Sequence, residues 1–591
     1  MGQNHQNDFS IVEKYLIIFY LIPVALLLWF VASFSVNVPF LDHWALVSFF
    51  ERIAAGNANV GDFFAQHFEH RLFFPKILFA IFAFYSSWNV KLEQGFSIFL
   101  SVISFYILYK ISSQNKKEDQ LLFHIANLAS CILFFSLVQY TNWLWGFQLA
   151  WYIINTCVIL AICILKVTNN LHPNLRLLLA ALCCAIASFS SAHGLLSWLA
   201  MIPSVAFVER DAKPSKIRLF IWALLFISCC AIYSIGYRSV AAADLFFFIK
   251  KPLVAVAYLL MIVGSSLGQV INPAISGFVI LLNFLFLNIY YFKNYRSEFA
   301  RDAAAWLSLG WFGLLFVLIT TVGRVSYGLG YSLQPRYTTS SIFIVIASIH
   351  LWQLIIIHRK KWLPNSANIR SIFGFLFGVL TAIFIANSTD AIAEGRNVWL
   401  QETSGQTCLE VVRYLDKTMD ESPESCLLSI VNESFKGILR KSIFTLDDLG
   451  FRNLAKDVAF TTESSKKHGN IEIPPQTEKP QIMPKNMSLK LSGWATLPDG
   501  REQPRVVLLS YGDNKSFFAS AIVNLPRPDV GRMLKSGRYS RIGWDRFGWE
   551  VNIPGKLLPV GETAIKAWVY DRDNKQFVKL NGESKIKVID N

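Results

Sequence analysis

The chain predicts a polytopic all-α membrane core of about 11–13 transmembrane helices, carrying a C-terminal extracytoplasmic β-sandwich domain. Three observations lead there. Of 591 residues, 53% are hydrophobic and only 16% charged, whereas soluble domains carry about 25% charge. Apolar runs of roughly 16–22 residues recur as far as Ser388, each long enough to cross about 30 Å of hydrocarbon. Beyond Thr389 the chain reads as soluble protein, and from about Asn486 short alternating segments replace the long apolar ones.

Taken in order, the first apolar run (15–36) is too long for a signal-peptide core and lacks a small-residue cleavage site, so it reads as a retained anchor. The net charge of +15 would suggest nucleic acid in a soluble chain. Here the excess sits in short loops, where it orients the helices, and no nucleic-acid partner is expected. The basic loops 110–117, 210–218, 293–301 and His358-Arg359-Lys360-Lys361 are assigned to the cytoplasm. With the N-terminus inside, the run 15–36 crosses outward. Further crossings fall at 93–111, 121–138, 148–167, 176–191, 194–208, 219–237, 275–292, 304–323, 339–357 and 372–388. That makes eleven, and an odd number leaves the C-terminal part outside the plasma (inner) membrane. Segments 72–88 and 253–268 would reverse the charge rule if either crossed alone. Lying in the interface or re-entering keeps eleven; if both cross, the total is thirteen.

The resulting organisation is a transmembrane core at 1–388, with a first external loop at 37–76, a helical connector and linker at 389–484, and a β-sandwich at 485–591. Seven of the nine cysteines lie inside apolar runs, where Cys serves as a small packing residue. Cys408 and Cys426 lie in the external part, where a disulfide is compatible with an oxidising compartment, as are two free thiols. The strands expected in the tail are separated by turn signals at 498–500 and 512–514. This domain is net basic by about seven charges, which suits contact with anionic headgroups or glycan. Its aromatics Trp494, Tyr539, Trp544, Trp549 and Trp568 suit sugar stacking, though core packing is the commoner use of such residues.

The first external loop carries the chemistry. Asp42, Glu51, Asp62 and Glu69 stand beside His43, His67, His70 and Arg71, an expensive set at a membrane boundary and hence a candidate site. Asp42 can act as a general base toward a hydroxyl, or as the N-cap of the helix-like run that follows it. Read as a helix, 67–70 puts His67 and His70 on one face as candidate ligands of a divalent metal. Arg71, Lys76, Arg324 and Arg336 are cations on the same external side; together they suit a lipid phosphate, and singly each suits headgroup pairing. Trp143 reads as an interfacial anchor. Asn142, Trp145, Gln148 and His193 fit a polar, aromatic-lined sugar pocket.

The order of elements, together with Pro39-Phe40-Leu41-Asp42-His43-Trp44 and Glu69-His70-Arg71, resembles the GT-C superfamily of integral membrane glycosyltransferases, and within it bacterial glycosyltransferase-like membrane proteins. Asn142 to Gln148, Gly323-Arg324 and Arg336-Tyr337 extend the likeness over about residues 10–390. It implies a GT-C-like fold and a polyprenyl-phosphate-linked sugar as donor. It also implies transfer, with inversion, to a cell-surface glycan or lipid at the outer membrane face. Asp42 would then be the base, with Glu69 as a second carboxylate. Arg71, Arg324, Arg336 and Tyr337 would hold the donor phosphate, and His43, Trp44 and His70 would join the sugar-pocket residues in substrate contact. Many members carry two adjacent acidic residues in this loop; here His43 follows Asp42, which leaves metal dependence open. The competing readings are a lipid-linked sugar flippase or exporter, a noncatalytic surface-glycan assembly protein, and a polysaccharide polymerase or ligase.

Overall fold

The computed structural model describes residues 2–116, 118–168, 170–208, 216–238, 244–359, 366–461, 468–475, 479–498, 503–533 and 546–590. Lys117, loop residues 210–215, Lys360, Lys361, Asp499, Gly500, Tyr539 and Trp544, all singled out above, lie outside the described residues. The chain divides into two compact units. One comprises 1–35, 59–81 and 91–395; the other comprises 36–58, 82–90 and 396–591.

The first unit is a bundle of apolar helices. Among the described residues, eight helices are long and apolar enough to cross a membrane: Lys91–Ser112, Gln120–Leu144, Gly146–Lys166, Lys216–Ser234, Pro273–Lys293, Glu298–Tyr327, Pro335–His358 and Ser371–Glu410. Five shorter apolar helices, Ile18–Phe34, Phe73–Ser86, Pro173–Ser188, Ala192–Ala206 and Pro252–Leu267, complete the set. Local chemistry sets several boundaries. Pro173, Pro252 and Pro273 open their helices at positions that lack an intrahelical N–H partner anyway. Asp119, Asn272 and Ser297 accept first-turn N–H groups. Lys216–Ser234 and Pro273–Lys293 expose Phe220, Leu224, Ile227, Phe278, Leu282 and Leu285, the surface expected of helices that face lipid.

Helix contacts decide between eleven and thirteen crossings. A thirteen-span path puts the loops near 140–148 and 190–194 on the membrane face opposite to 66–71 and 324–337. Instead Ser191 Oγ lies 3.3 Å from His70 Nδ1, and Asn142 Nδ2 donates to the Arg336 carbonyl at 2.9 Å. All four loops therefore gather at one end, as eleven crossings require. At the other end His358 Nε2 lies 3.1 Å from Asp302 Oδ2, and Lys166 Nζ donates to the Phe207 carbonyl at 3.0 Å. The two segments set aside in that count form helices of 14 and 13 residues, Phe73–Ser86 and Pro252–Gly264.

In the same unit β1 (Gln66–His67) and β2 (His70–Arg71) form a minimal antiparallel hairpin, pairing Gln66 with Arg71 and His67 with His70.

The second unit takes up the start of the first loop. Leu41–Leu46 is a 3₁₀ turn and Val47–Ala54 a short helix whose buried face is Val47, Phe49 and Phe50. Phe50 meets Trp88 edge-on at 4.9 Å and Phe451 at 6.0 Å. The Arg452 guanidinium donates to the carbonyls of Ser87 and Trp88, each at 3.1 Å. The stretch read as one loop at 37–76 is thus split between the units, because its apolar first half has aromatic partners in the C-terminal part. Cys408 and Cys426, 18 residues apart, are joined by a disulfide with Cα atoms 6.0 Å apart.

Ten further strands form the C-terminal sheet: β3 (Ala459–Thr461), β4 (Gly469–Ile473), β5 (Gln481–Pro484), β6 (Ser488–Ala495), β7 (Val506–Tyr511), β8 (Ala519–Leu525), β9 (Gly548–Pro554), β10 (Gly561–Asp571), β11 (Gln576–Lys579) and β12 (Ser584–Ile589). The hydrogen-bonded order is β3-β11-β10-β7-β8-β9-β6-β4, with β12 pairing both β10 and β5. The sandwich thus takes the form of one continuous sheet curled as a half-barrel. Its inner face closes on a single core that includes Leu491, Leu509, Trp549, Ile565 and Ile586. Period-two alternation is plainest in β12, where buried and exposed residues alternate throughout. Trp549 is fully buried there, Trp494 packs with Val530 and Phe547, and Trp568 Nε1 donates to Ser510 Oγ at 2.9 Å. These three indoles are used in packing.

Candidate functional site: a carboxylate, two histidines and two arginines at one end of the helical unit

The β1–β2 hairpin stands where a helical reading would put His67 and His70 on one face. Its turn is Phe68-Glu69, with Phe68 in the left-handed region at φ 48°, a conformation few non-glycine residues adopt. Arg71 holds the hairpin in place. Its Nε donates to the Tyr233 carbonyl at 2.8 Å, its Nη1 to the Phe64 carbonyl at 2.7 Å and its Nη2 to the Ile235 carbonyl. The guanidinium also lies 4.1 Å from the Phe64 ring centroid. The Tyr233 hydroxyl in turn donates to the Glu69 carbonyl at 3.1 Å. Arg71 is therefore a buried clamp for backbone and does not join the other arginines. Lys76 behaves likewise, donating to the carbonyls of Asp62 at 2.8 Å and Ala65 at 2.9 Å.

The hairpin tip delivers Glu69 to Arg324, the last residue of the helix Glu298–Arg324, and their side chains form an ion pair. Both ends of the pair are partly exposed, 34% for Glu69 and 26% for Arg324, so the contact lies at an accessible surface. Glu69 Oε1 is also 3.9 Å from His70 Nε2. His70 and His193 rings stand 5.6 Å apart, bridged by Ser191 Oγ at 3.3 Å and 3.4 Å from their Nδ1 atoms. His193 is further enclosed by Phe316 at 4.8 Å and Trp151 at 5.4 Å. Its turn needs a glycine next: a Cβ on Gly194 would collide with the Ala187 carbonyl oxygen.

Arg336 completes the group. It donates to the Tyr331 hydroxyl and lies over the rings of Tyr331 and Tyr337 at 5.5 Å and 5.4 Å. Asn142 is buried and donates to the Arg336 carbonyl and to Thr339 Oγ1, so it positions the arginine's backbone. Tyr337 is buried, with its ring 6.4 Å from Trp151. Burial pushes the His70 imidazole down to about 3, and the charges of His67, Arg324 and Arg336 act in the same direction. His70 is thus neutral at physiological pH.

Other expected residues lie elsewhere. His67 packs on Phe147 at 5.2 Å, and burial, with Lys76 nearby, lowers its imidazole to about 4. Trp145 is buried and stacks on Phe147 at 5.9 Å, and Gln148 is buried. Among the described residues no group of three or more His, Cys, Asp and Glu is arranged to hold a metal ion.

Asp42, His43 and Trp44 belong to the second unit. Leu41, at φ 51°, leads into the 3₁₀ turn. Asp42 sits inside that turn, and the N-cap position falls to Phe40. Asp42 Oδ1 accepts from Asn432 Nδ2 at 2.6 Å, while Asn432 Oδ1 accepts from the Ser434 N–H at 3.1 Å. The amide orientation is thereby set, with its NH₂ toward the carboxylate. Trp44 Nε1 donates to the Ile430 carbonyl at 2.8 Å. His43 is buried, its Nδ1 accepting from the Phe40 N–H at 3.2 Å and its ring 5.8 Å from Trp88. His43 and Trp44 hold the turn; Asp42 is partly exposed. Asn432, Tyr331 and Trp151 had no reading of their own in the sequence. Only Asn432 carried a signal, an Asn two residues before a Ser at a turn.

Fold and site together define a multi-pass membrane protein with a β-rich C-terminal domain and an accessible arginine–carboxylate–histidine cluster at one end of its helices. No protein-family model and no curated protein matches the chain. Among solved structures it is similar to ArnT from Cupriavidus metallidurans bound to undecaprenyl phosphate, at 12% identity and a TM-score of 0.32, over 76% of this chain and 83% of that one. A likeness of that size defines neither fold nor activity.

Proposed function

We propose that the protein is a membrane glycosyltransferase that moves a sugar from a polyprenyl-phosphate-linked donor to a cell-surface glycan or lipid at the outer face of the plasma membrane. The observation that carries the reading is that Arg324 and Arg336 lie over the neighbouring rings of Tyr327 and Tyr331, whose centroids are 5.3 Å apart, at one end of the helical unit. Two guanidinium groups beside uncharged imidazoles make a site for one phosphate, because Arg offers paired donors in a fork that matches it. Both lie among Tyr327, Tyr331 and Tyr337, rings able to border a prenyl chain or a sugar. Arg71 leaves the donor set, since its donors are taken by carbonyl groups.

In such a transfer the acceptor oxygen bonds to the anomeric carbon, the carbon–oxygen bond to phosphate breaks, and that electron pair stays on the phosphate. Arg324 and Arg336 stabilise the charge that appears there, which is often the largest catalytic contribution. The acceptor proton goes to a base. Asp42 is our candidate on its own local geometry: a partly exposed carboxylate, oriented by Asn432 and introduced by a left-handed Leu41. Strained backbone of that kind concentrates at functional positions.

Mass spectrometry of surface glycans and lipid-linked sugars tests the reading, comparing cells with the protein, cells without it, and cells carrying Asp42→Asn. Loss of the protein should remove one sugar from a surface glycan or lipid and raise its lipid-linked donor. Asp42→Asn, correctly inserted, should behave like loss of the protein, because a missing general base costs roughly 10²-fold or more. Unchanged glycans without the protein would overturn the enzyme reading. Normal transfer by Asp42→Asn would remove Asp42 from it.

A further inference from the structure

Glu69 occupies the arginine that a phosphate would use. The pairing is not incidental to a flexible loop. The Glu69 backbone is held by the Tyr233 hydroxyl at 3.1 Å, and its hairpin is fixed by the buried Arg71. The carboxylate is therefore presented to Arg324 from a rigid support. Arg324, by contrast, ends its helix next to a glycine-rich stretch, Gly323 to Gly330. Added Cβ atoms at Gly323, Gly328 and Gly330 would meet nothing within 4 Å, and Gly328 has φ +95°. Arg336 is engaged differently, by the Tyr331 hydroxyl and two aromatic faces.

We propose that Glu69 is a resident competitor for Arg324 that makes this site select phosphate monoesters, which carry two negative charges, over phosphate diesters, which carry one. The proposal rests on the glycosyltransferase reading above. A diester brings a single charge and exchanges one anion for another on Arg324, with little gain. A monoester brings a second charge and outbids the carboxylate for the second guanidinium.

The selectivity falls where the reaction needs it. The lipid-phosphate sugar donor is a diester. As the anomeric carbon–oxygen bond breaks and its electron pair passes to the phosphate, the leaving group becomes a monoester dianion. Arg324 is thus claimed as the charge develops, while the acceptor proton goes to the base. An interaction stronger in the transition state than in the bound donor accelerates the step. Glu69 then retakes Arg324 when the carrier leaves, which limits product retention. In these terms Glu69 is a specificity-determining residue.

Binding of two probes to the purified full-length protein in detergent tests this. They are farnesyl phosphate, a monoester, and methyl farnesyl phosphate, its diester, measured by calorimetry at pH 8, where the monoester carries both charges. The unsubstituted protein should prefer the monoester by roughly tenfold or more, the scale of one charge-assisted contact. Glu69→Gln should tighten the diester by about tenfold and shrink the preference to about threefold or less, since Arg324 is then available to either ligand. Glu69→Asp, which keeps the charge, should retain most of the preference and controls for the integrity of the hairpin. Arg324→Ala should weaken the monoester and abolish the preference. A Glu69→Gln protein that binds the diester no better, or worse, overturns the competitor role. Should Arg324→Ala leave both affinities unchanged, the phosphate-site reading itself fails, a result distinct from the first.

Discussion

Arg71 and Arg336 share a side chain and differ in what surrounds it, and the difference predicts opposite phenotypes. Arg71 is 3% exposed and donates to the carbonyls of Phe64, Tyr233 and Ile235. Arg71→Ala leaves buried carbonyl groups without a donor, at a cost of about 1–3 kcal/mol for each such group. Thermal unfolding in detergent should therefore shift sharply downward, and lost binding should track lost folded protein. Arg336→Ala should leave the unfolding temperature nearly unchanged while weakening farnesyl phosphate by roughly tenfold or more. Arg336→Lys should restore only part, because a fork becomes a point charge. If Arg336→Ala binds the probe normally, Arg336 returns to a headgroup-pairing role. No inspection of the sequence separates these two arginines. Both follow or precede aromatic residues near an apolar run, and only the carbonyl groups assembled around Arg71 by remote segments reveal its use.

At the level of elements, legibility followed how local the deciding interaction is. The strands of the tail were readable because alternation in segments such as β12 is a property of a few consecutive residues. The helices were readable because a run such as 275–292 has no alternative to lipid or core. The hairpin at 66–71 was not. Its two-residue strands have too little pattern to distinguish from a helical turn, and they are set by Arg71 bonding to residues more than 160 positions away. The first loop likewise divides because Phe50 finds Trp88 and Phe451, partners invisible to spacing. The disulfide is an intermediate case: both cysteines were candidates, and their meeting needed the fold. Its removal gives an element-scale prediction. Cys408 and Cys426 close a loop across a separation of 18 residues, for which chain entropy gives about 3 kcal/mol. The paired Cys408→Ser, Cys426→Ser protein should unfold at lower temperature, and the unsubstituted protein should shift in gel mobility on reduction. An identical unfolding temperature with and without reductant would deny the bond a stabilising role.

For the whole molecule, the contacts settle which loops share an end of the helical unit, and charge decides which side that end faces. His70 beside Ser191 and Asn142 beside Arg336 place the 66–71, 140–148, 190–194 and 324–337 loops together, which thirteen crossings cannot do. The basic residues near Gln114, Lys166 and Arg301 gather at the other end, and positive charge is retained in the cytoplasm. The cluster of Glu69, Arg324 and Arg336 should accordingly face outward, where a lipid-linked donor would meet surface acceptors. Two cysteine substitutions at exposed sites read this out in intact cells with a membrane-impermeant maleimide, against the unsubstituted protein as background. Asp513 is fully exposed beside β7, and Gln114 is exposed after the helix Lys91–Ser112. Asp513→Cys should label from outside, and Gln114→Cys only after permeabilisation. Labelling of both from outside is the pattern of thirteen crossings and would mean that the loop contacts seen here do not form in the membrane. Protection of Asp513→Cys would put the C-terminal domain in the cytoplasm, reverse the cluster to the inner face, and remove the outer-face reaction with it.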